Sequence, residues 1–179
     1  MKFRVELEIE IRRPAGVVFD YLADAENNPA WASEFAKVEK ESDGPVGQGT
    51  VFRIWLKPPT SLKGVLRGKE ELRSKHPPSE STLQWAEYEP PHSLVAQSPP
   101  LKRGAGTILT TQTFNVEEIA DGETRLRVAW DREVRDVPLE RIAAPLIARL
   151  IPNEIRKAQT HSLKRLKAVL EGDDAETSG

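Results

Sequence analysis

Three polar side chains in the sequence share strand faces with large aromatic residues. Each lies two positions from its aromatic neighbour: Glu87 from Trp85, Gln112 from Phe114, and Arg132 from Trp130. Because side chains two residues apart lie on the same face of a β-strand, we expect these polar groups to point into the interior. A solid core accommodates such groups poorly, whereas a ligand cavity combines apolar walls with a few convergent polar groups. The pattern therefore favours an internal cavity.

This pattern yields a candidate binding site for a small molecule. Its polar contacts would come from Glu87, Gln112 and Arg132. Its apolar walls would come from four large residues, Trp85, Phe114, Trp130 and Ile155. Two alternatives stay open: either Glu87 and Arg132 lie at strand ends beyond the core, or a β-bulge reverses the alternation. A structural ion pair between these two charges is a third interpretation, and it would carry no functional meaning.

Motifs for catalysis or metal binding are not evident in the sequence. His76, His92 and His161 lack the spacing of a zinc site, so we expect no metal and no other cofactor. The segment GPVGQGT lacks the Lys-Ser/Thr pair of a phosphate-binding loop and precedes a strand, so we interpret it as a turn. The sequence also contains no GxSxG nucleophile elbow. No catalytic residue is therefore assigned.

Length and composition limit the class of protein. A chain of 179 residues suits a single domain, which we expect over residues 1–171, followed by a disordered acidic tail at residues 172–179. With 26 basic and 28 acidic residues, the chain has no overall positive charge, so nucleic-acid binding is not expected. Cysteine is absent and no long apolar stretch occurs, which favours a cytoplasmic protein without a signal peptide or a membrane span.

The elements that must position these residues begin with a strand. Apolar and charged residues alternate without exception from Phe3 to Ile11, which indicates a strand with one face on a core and one in water. A shorter strand begins near Phe35, and further strands are predicted near residues 50–57, 81–89, 93–98, 105–117 and 123–135. Proline cannot donate to a sheet ladder, so strand ends are expected at four Pro-Pro pairs, 58–59, 77–78, 90–91 and 99–100. For residues 58–79 a strand, a short helix and a flap all stay open.

The helical period after Pro138 predicts a long C-terminal helix. Pro145 and Pro152 each remove a backbone hydrogen bond, so we expect a kink or break there and an uninterrupted helix from about Pro152 to Glu171. This segment carries more basic than acidic residues. The excess indicates either a solvated helix face or a transient contact with an anionic membrane surface.

Two short helices are predicted between the first two strands, one starting at Pro14 and one carrying Trp31 after Pro29. The order is then a strand, two short helices, a run of antiparallel strands and one long helix, which defines an α+β fold. A twisted antiparallel sheet can curl around the helix without matching its shape, so space remains between them. We expect Trp31, which buries roughly 200 Å² when it packs, to close one end of that space.

The sequence also resembles a known superfamily in several segments that follow in the same order. These segments are RPAGVVFDYLADAENNPAWASEF, VGQGT, EYEPPHSL, GETRLRV and SLKRLKAVLE. They are similar to the START-like (SRPBCC) superfamily, specifically its polyketide cyclase/dehydrase and lipid-transport branch. The resemblance covers residues 3–171 and implies the helix-grip fold, in which a curved antiparallel sheet of seven strands grips a long C-terminal helix around an apolar cavity. It assigns no catalytic residue.

The leading functional hypothesis from the sequence is a binding protein. It would enclose a small hydrophobic or amphipathic ligand, such as a lipid, a polyketide or an isoprenoid, and transport is one use of that binding. The second hypothesis is a polyketide aromatase/cyclase-type enzyme, in which Glu87 or Arg132 moves a proton or stabilises an enolate. The third is a protein-interaction module that uses the outward-facing Trp55, with a partner that the sequence does not identify.

Overall fold

The alternating N-terminal segment forms the strand β1 (Lys2–Ile11), in which Val5 and Ile11 are buried and the charged residues between them are exposed. The computed structural model describes residues 2–58, 78–103, 106–135 and 144–172, without the side chains of residues 103, 106 and 144–152. The predictions for residues 59–77 and for the tail from residue 173 onward lie outside the described residues.

The other elements follow β1 in the predicted order. A helix, α1 (Ala15–Ala23), leads through a 3-10 turn (Ala25–Asn27) to the short helix α2 (Asn28–Trp31). The strands that come next are β2 (Phe35–Lys40), β3 (Val51–Leu56), β4 (Ser79–Glu89), β5 (Ser93–Arg103), β6 (Gly106–Ala120) and β7 (Glu123–Arg135). The last described element is the long helix α3 (Ala144–Glu171).

The seven strands form one antiparallel sheet in the order β1-β7-β6-β5-β4-β3-β2. From β2 to β7 each strand pairs with the next in sequence, and β1 pairs with β7. Because β1 and β2 lie at opposite edges, the chain must cross the sheet between them. The two short helices make this crossing: α1 contacts β6 and β7, and α2 contacts β2 and α3. The predicted α+β helix-grip fold is confirmed.

Trp31 of α2 is buried in the hydrophobic core. Its side chain is only 1% exposed and belongs to the same cluster as Phe19 and Leu22 of α1. Pro29 lies in the first turn of α2, where a missing N–H removes no helical hydrogen bond. The contact between α2 and α3 positions this turn against the C-terminal helix. The prediction that Trp31 packs into the interior is confirmed.

The prediction that the fourth Pro-Pro pair ends a strand is wrong. Pro99 and Pro100 lie inside β5, and the register with β6 shifts between Ser98 and Leu101. Such a shift takes residues out of the regular ladder, so the strand continues although two N–H groups are missing. The third pair does separate two strands, since Pro90 and Pro91 lie between β4 and β5.

The helix α3 is longer than the sequence predicts. It is continuous from Ala144 to Glu171, so of the expected kink or break, a break at Pro152 is absent. Pro145 lies in the first turn, where a proline removes no helical hydrogen bond. Pro152 lies in the interior, but α3 packs against β1 and α2, and in proteins such packing contributes more to helix stability than local propensity does.

The C-terminal end of α3 is fixed to the segment that follows β1. Glu171 accepts hydrogen bonds from the backbone N–H of Arg12 at 2.7 Å and from its guanidinium Nη2 at 3.0 Å, and the Glu171 side chain is only 3% exposed. Lys167 donates a 2.8 Å hydrogen bond to the carbonyl oxygen of Glu10. Gly172 has a φ of 81°, the left-handed conformation that commonly ends a helix.

Opposing effects act on the pKa of Glu171. Burial is the largest single effect and raises the pKa, but the hydrogen bonds from Arg12 and the charges of Lys167 and Arg12 together outweigh burial and hold the pKa below its ordinary value. Folding therefore favours the ionised carboxylate. Its contribution to stability is present at neutral pH and is lost as the pH falls through the lowered pKa.

Replacing Glu171 by glutamine is expected to lower the free energy of unfolding by about 1–2 kcal/mol at neutral pH, because a charged hydrogen-bond acceptor is lost. The difference from the wild type should shrink as the pH falls through the lowered pKa of Glu171, because the wild-type carboxylate then also takes up a proton. Urea unfolding followed by circular dichroism at neutral and acidic pH measures both effects.

The control for this prediction is Glu154→Gln on the same helix. Glu154 forms a surface pair with Lys157, with 2.9 Å between Oε1 and Nζ, and its replacement should change stability by less than about 0.5 kcal/mol. Equal losses in the two variants, or a loss in Glu171→Gln that persists at acidic pH, would contradict the assigned role of the Arg12–Glu171 contact.

Candidate functional site

The inner face of the sheet is densely packed around Trp85. The Trp85 indole makes edge-to-face contacts with Phe52 and Phe114, with ring-centroid distances of 6.2 and 6.3 Å. Its Nε1–H donates a 2.9 Å hydrogen bond to the carbonyl oxygen of Ala23 at the end of α1. This aromatic cluster therefore fills one part of the space between the sheet and the helices.

A cavity occupies another part of the same face. The centre of a water-sized molecule can occupy about 60 Å³ of it, whereas the empty volume of about 620 Å³ also includes open solvent at the mouth. The strands β2 to β6 supply most of the described lining. Apolar side chains dominate it, among them Phe35, Ile54, Leu56, Leu83, Ala96 and Ile108.

Polar side chains are interspersed with these apolar walls: Glu34, Ser81, Ser98, Thr110, Gln112 and Arg132. The register explains why several of them meet. Thr110 on β6 lies directly opposite Ser98 on β5 and Arg132 on β7. Because directly paired residues of neighbouring strands share a face of the sheet, the three side chains point to the same side. Of the lining residues that the structure describes, Glu34 and Arg132 are the two charged ones.

Glu34 and Arg132 form an ion pair in the cavity wall. The guanidinium Nη2 of Arg132 donates to Oε2 of Glu34 at 3.1 Å. The side chain of Arg132 is 14% exposed and that of Glu34 is 25% exposed. Glu34 lies in the turn before β2, and its carbonyl oxygen accepts a 2.8 Å hydrogen bond from the backbone N–H of Lys57, just beyond β3. Arg132 Nε is buried and has no hydrogen-bond acceptor among the described residues. The pair is neutral overall and retains a donor for which the described part of the chain supplies no acceptor.

The structure brings two of the seven predicted site residues to the cavity. Gln112 and Arg132 line it, as the alternation predicts. The four residues predicted as walls lie instead in or against the packed core, outside the described lining: Trp85, Phe114, Trp130 and Ile155. Large aromatic side chains pack against one another at high density, so they fill the space that the sequence interpretation left open.

The prediction that Glu87 points inward is wrong. Its side chain is exposed, because the pairing of β4 with β5 shifts register between Trp85 and Glu87. The extra residue, Ala86, reverses the alternation. Tyr88 turns inward instead and contacts Phe19 edge-to-face, with 5.3 Å between ring centroids. The β-bulge considered as an alternative from the sequence is therefore present in β4.

The sequence interpretation missed Glu34, the acidic member of the cavity wall. Glu34 lies in a turn, where no alternation indicates which way a side chain points. For the smaller polar residues Thr110 and Ser81, the alternation in the sequence does predict an inward-pointing side chain. Thr110 occupies the same alternate positions of β6 as Gln112, and Ser81 occupies the same alternate positions of β4 as Leu83.

The basic residues of α3 donate largely to backbone carbonyls. Arg156 Nη1 donates to the carbonyl oxygen of Glu6 at 3.2 Å, and Arg165 Nη2 donates to that of Ala30 at 2.7 Å. A carbonyl satisfies the donor without neutralising its charge, so the exposed face of α3 keeps a positive character. Contact with an anionic membrane surface stays a prediction. No helix in the described part of the chain is both long and apolar enough to cross a membrane.

The seven-stranded antiparallel sheet, the two short helices after its first strand, the long C-terminal helix and the apolar cavity define a START-like protein of the helix-grip fold. The sequence then identifies the family within this class. The family described as polyketide cyclase / dehydrase and lipid transport matches residues 2–171, and the chain belongs to this family.

Solved structures with the same fold share little sequence with this chain. The Zhui aromatase/cyclase from Streptomyces is 15% identical, with a TM-score of 0.59 over 97% of this chain and 93% of its own. A START superfamily protein from Mycobacterium smegmatis is 16% identical, with a TM-score of 0.59 over 95% of each chain. A conserved protein from Geobacillus kaustophilus is 12% identical, with a TM-score of 0.67 over 96% of this chain and 97% of its own. No curated protein matches the sequence, and identities this low establish the fold alone.

Proposed function

We propose that this protein binds a small hydrophobic or amphipathic molecule, such as a lipid, a polyketide or an isoprenoid, in the cavity on the inner face of the sheet. The observation that carries the proposal is the lining, in which apolar side chains dominate and a few polar groups are interspersed. This combination is typical of small-molecule sites. The description of the family, which names polyketide cyclisation and lipid transport, supports the same class of ligand.

Burial of the ligand would drive its binding. Removal of apolar surface from water contributes ~25 cal/mol per Å², which corresponds to ~0.8 kcal/mol for each methylene group. Immobilisation of the ligand opposes this gain, so a ligand must place several carbon atoms in the cavity to bind well. The polar side chains of the lining would then set its orientation, because a misplaced ligand leaves their hydrogen-bonding groups without partners.

Uptake of N-phenylnaphthylamine, an uncharged apolar fluorophore, tests the proposal. We expect a saturable rise in fluorescence with one fluorophore bound per protein molecule and a Kd on the order of micromolar. Urea-unfolded protein is the control, because it has the same composition without the cavity. A rise that does not saturate, or an equal rise with unfolded protein, would contradict binding in the cavity.

Catalysis is a second candidate function, because the cavity wall holds a carboxylate beside a guanidinium. In this hypothesis Glu34 removes a proton next to a ligand carbonyl, and Arg132 stabilises the enolate that forms. Glu34 takes the role that the sequence interpretation gave to Glu87. Incubation with a poly-β-carbonyl chain separates the candidates: a carrier returns it unchanged, whereas an enzyme accelerates its cyclisation and loses that activity in Glu34→Gln.

A further inference from the structure

The guanidinium of Arg132 has hydrogen-bonding capacity that the described residues do not use. It carries five N–H groups, and among the described residues Glu34 accepts the one side-chain hydrogen bond that it donates. Its Nε is buried without an acceptor in that part of the chain. Burying a donor without a partner is unfavourable. Arg132 lines the cavity, so a ligand oxygen that accepts from a guanidinium N–H for which no described residue is the acceptor would gain affinity.

Among the described residues of the cavity wall, negative and positive charge are balanced. Oε2 of Glu34 lies 3.1 Å from Nη2 of Arg132, and the other described lining residues are not ionisable. A ligand carboxylate would give up its hydration in a largely apolar enclosure, and the repulsion by Glu34 would offset the attraction by Arg132 that otherwise compensates this loss. An uncharged oxygen can accept from Arg132 without that repulsion.

The fold holds the backbones that carry both members of the pair. Arg132 is held in the sheet by pairing with Phe3 on β1 and with Thr110 on β6. The turn that carries Glu34 is held by the hydrogen bond from the backbone N–H of Lys57. The backbone positions of Arg132 and Glu34 are therefore set by the fold before a ligand arrives, and their side chains already contact each other, which favours selectivity.

We propose that the Glu34–Arg132 pair selects ligands whose polar group is an uncharged oxygen acceptor, such as a ketone, an ester or a phenol, over ligands that carry a carboxylate. The inference rests on the proposed function and names the ligand class for that cavity. Arg132 donates to the ligand oxygen. Glu34 orients the guanidinium and supplies the negative charge that disfavours a carboxylate.

Competition with bound N-phenylnaphthylamine tests this selectivity, with a methyl ketone, a carboxylic acid and an alkane of equal chain length at neutral pH. We expect the wild type to bind the ketone at least about tenfold more tightly than the carboxylate, and severalfold more tightly than the alkane. Glu34→Gln removes the negative charge at nearly constant size, so affinity for the carboxylate should rise at least about tenfold while affinity for the ketone changes little. Arg132→Met should remove the advantage of the ketone over the alkane.

The matched control is Glu39→Gln, which removes an exposed glutamate on β2 outside the cavity lining and should leave the order of affinities unchanged. Near-ultraviolet circular dichroism checks the fold of each variant. If Arg132→Met does not fold, the wild type and Glu34→Gln still decide the question. Equal affinity of the wild type for ketone and carboxylate, or an unchanged ratio in Glu34→Gln, would overturn the selectivity and leave the proposed function standing. If the wild type takes up neither the fluorophore nor any of the three ligands, both the selectivity and the proposed function are wrong.

Discussion

Replacing Thr110 by phenylalanine is expected to lower the affinity for an apolar ligand by at least about tenfold, a loss of about 1.4 kcal/mol of binding free energy. Thr110 lines the cavity from β6, directly opposite Ser98 on β5 and Arg132 on β7. A phenyl ring at this position would occupy the space that the ligand needs. Because the ring enters an existing cavity, the fold should tolerate it better than it would tolerate overpacking of a solid core.

Thr111→Phe is the matched control for this prediction. Thr111 is the next residue of β6, so its side chain lies on the outer face of the sheet, where it pairs with Gln97 and Asp131. The same substitution there adds a ring without changing the cavity, and affinity should stay at the wild-type value. Titration with N-phenylnaphthylamine measures both variants. Wild-type affinity in a correctly folded Thr110→Phe variant would place the binding site elsewhere.

Replacing Trp85 by alanine is expected to lower the free energy of unfolding by about 3–5 kcal/mol, the usual range for removing a buried tryptophan. The variant loses the edge-to-face contacts with Phe52 and Phe114. It also loses the hydrogen bond from Nε1 to the carbonyl oxygen of Ala23, which leaves that oxygen without its donor. Urea unfolding followed by far-ultraviolet circular dichroism measures the loss.

The control is Trp55→Ala, the same substitution on the outer face of the sheet. Trp55 is partly exposed, and its ring lies beneath the ammonium group of Lys37, with 4.9 Å from Nζ to the ring centroid. Loss of an exposed cation–π contact of this kind should lower stability by only about 1 kcal/mol. Comparable losses of stability in the two variants would contradict the central role assigned to Trp85 in the aromatic cluster with Phe52 and Phe114.

Alternation in the sequence predicts the sheet well because it reports which face of a strand is buried. It places Val5 and Ile11 of β1 inside, and it brings Gln112 of β6 and Arg132 of β7 to the inner face. These strands pair without a register shift around those positions. Where pairing is regular, a residue count is therefore sufficient to assign the face.

For Glu87, counting residues along the strand gives the wrong face of the sheet. Whether β4 contains an extra residue at Ala86 depends on how it pairs with β5, and no residue of β4 by itself records that choice. Pro152 is a similar case, since the helix continues through it within a segment that packs on β1 and α2. At Ala86 and at Pro152, contacts between distant parts of the chain determine the local structure, and the local sequence alone does not.

The position of the cavity could not be predicted from the strands alone. The same inner face carries both the cluster around Trp85 and the open region around Thr110, and the sequence interpretation combined residues of both into one site. Which region is filled depends on contacts between distant elements, such as the hydrogen bond from Trp85 to Ala23. Glu34 joins the cavity from a turn, so only the folded chain shows that it meets Arg132.

Native mass spectrometry of freshly purified protein tests most directly whether the inner face of the sheet holds a small hydrophobic molecule. We predict a wild-type species heavier than the bare chain by the mass of one small molecule, retained in Thr111→Phe and absent in Thr110→Phe. A wild-type protein that carries no such molecule and takes up none when apolar ligands are supplied would contradict the account.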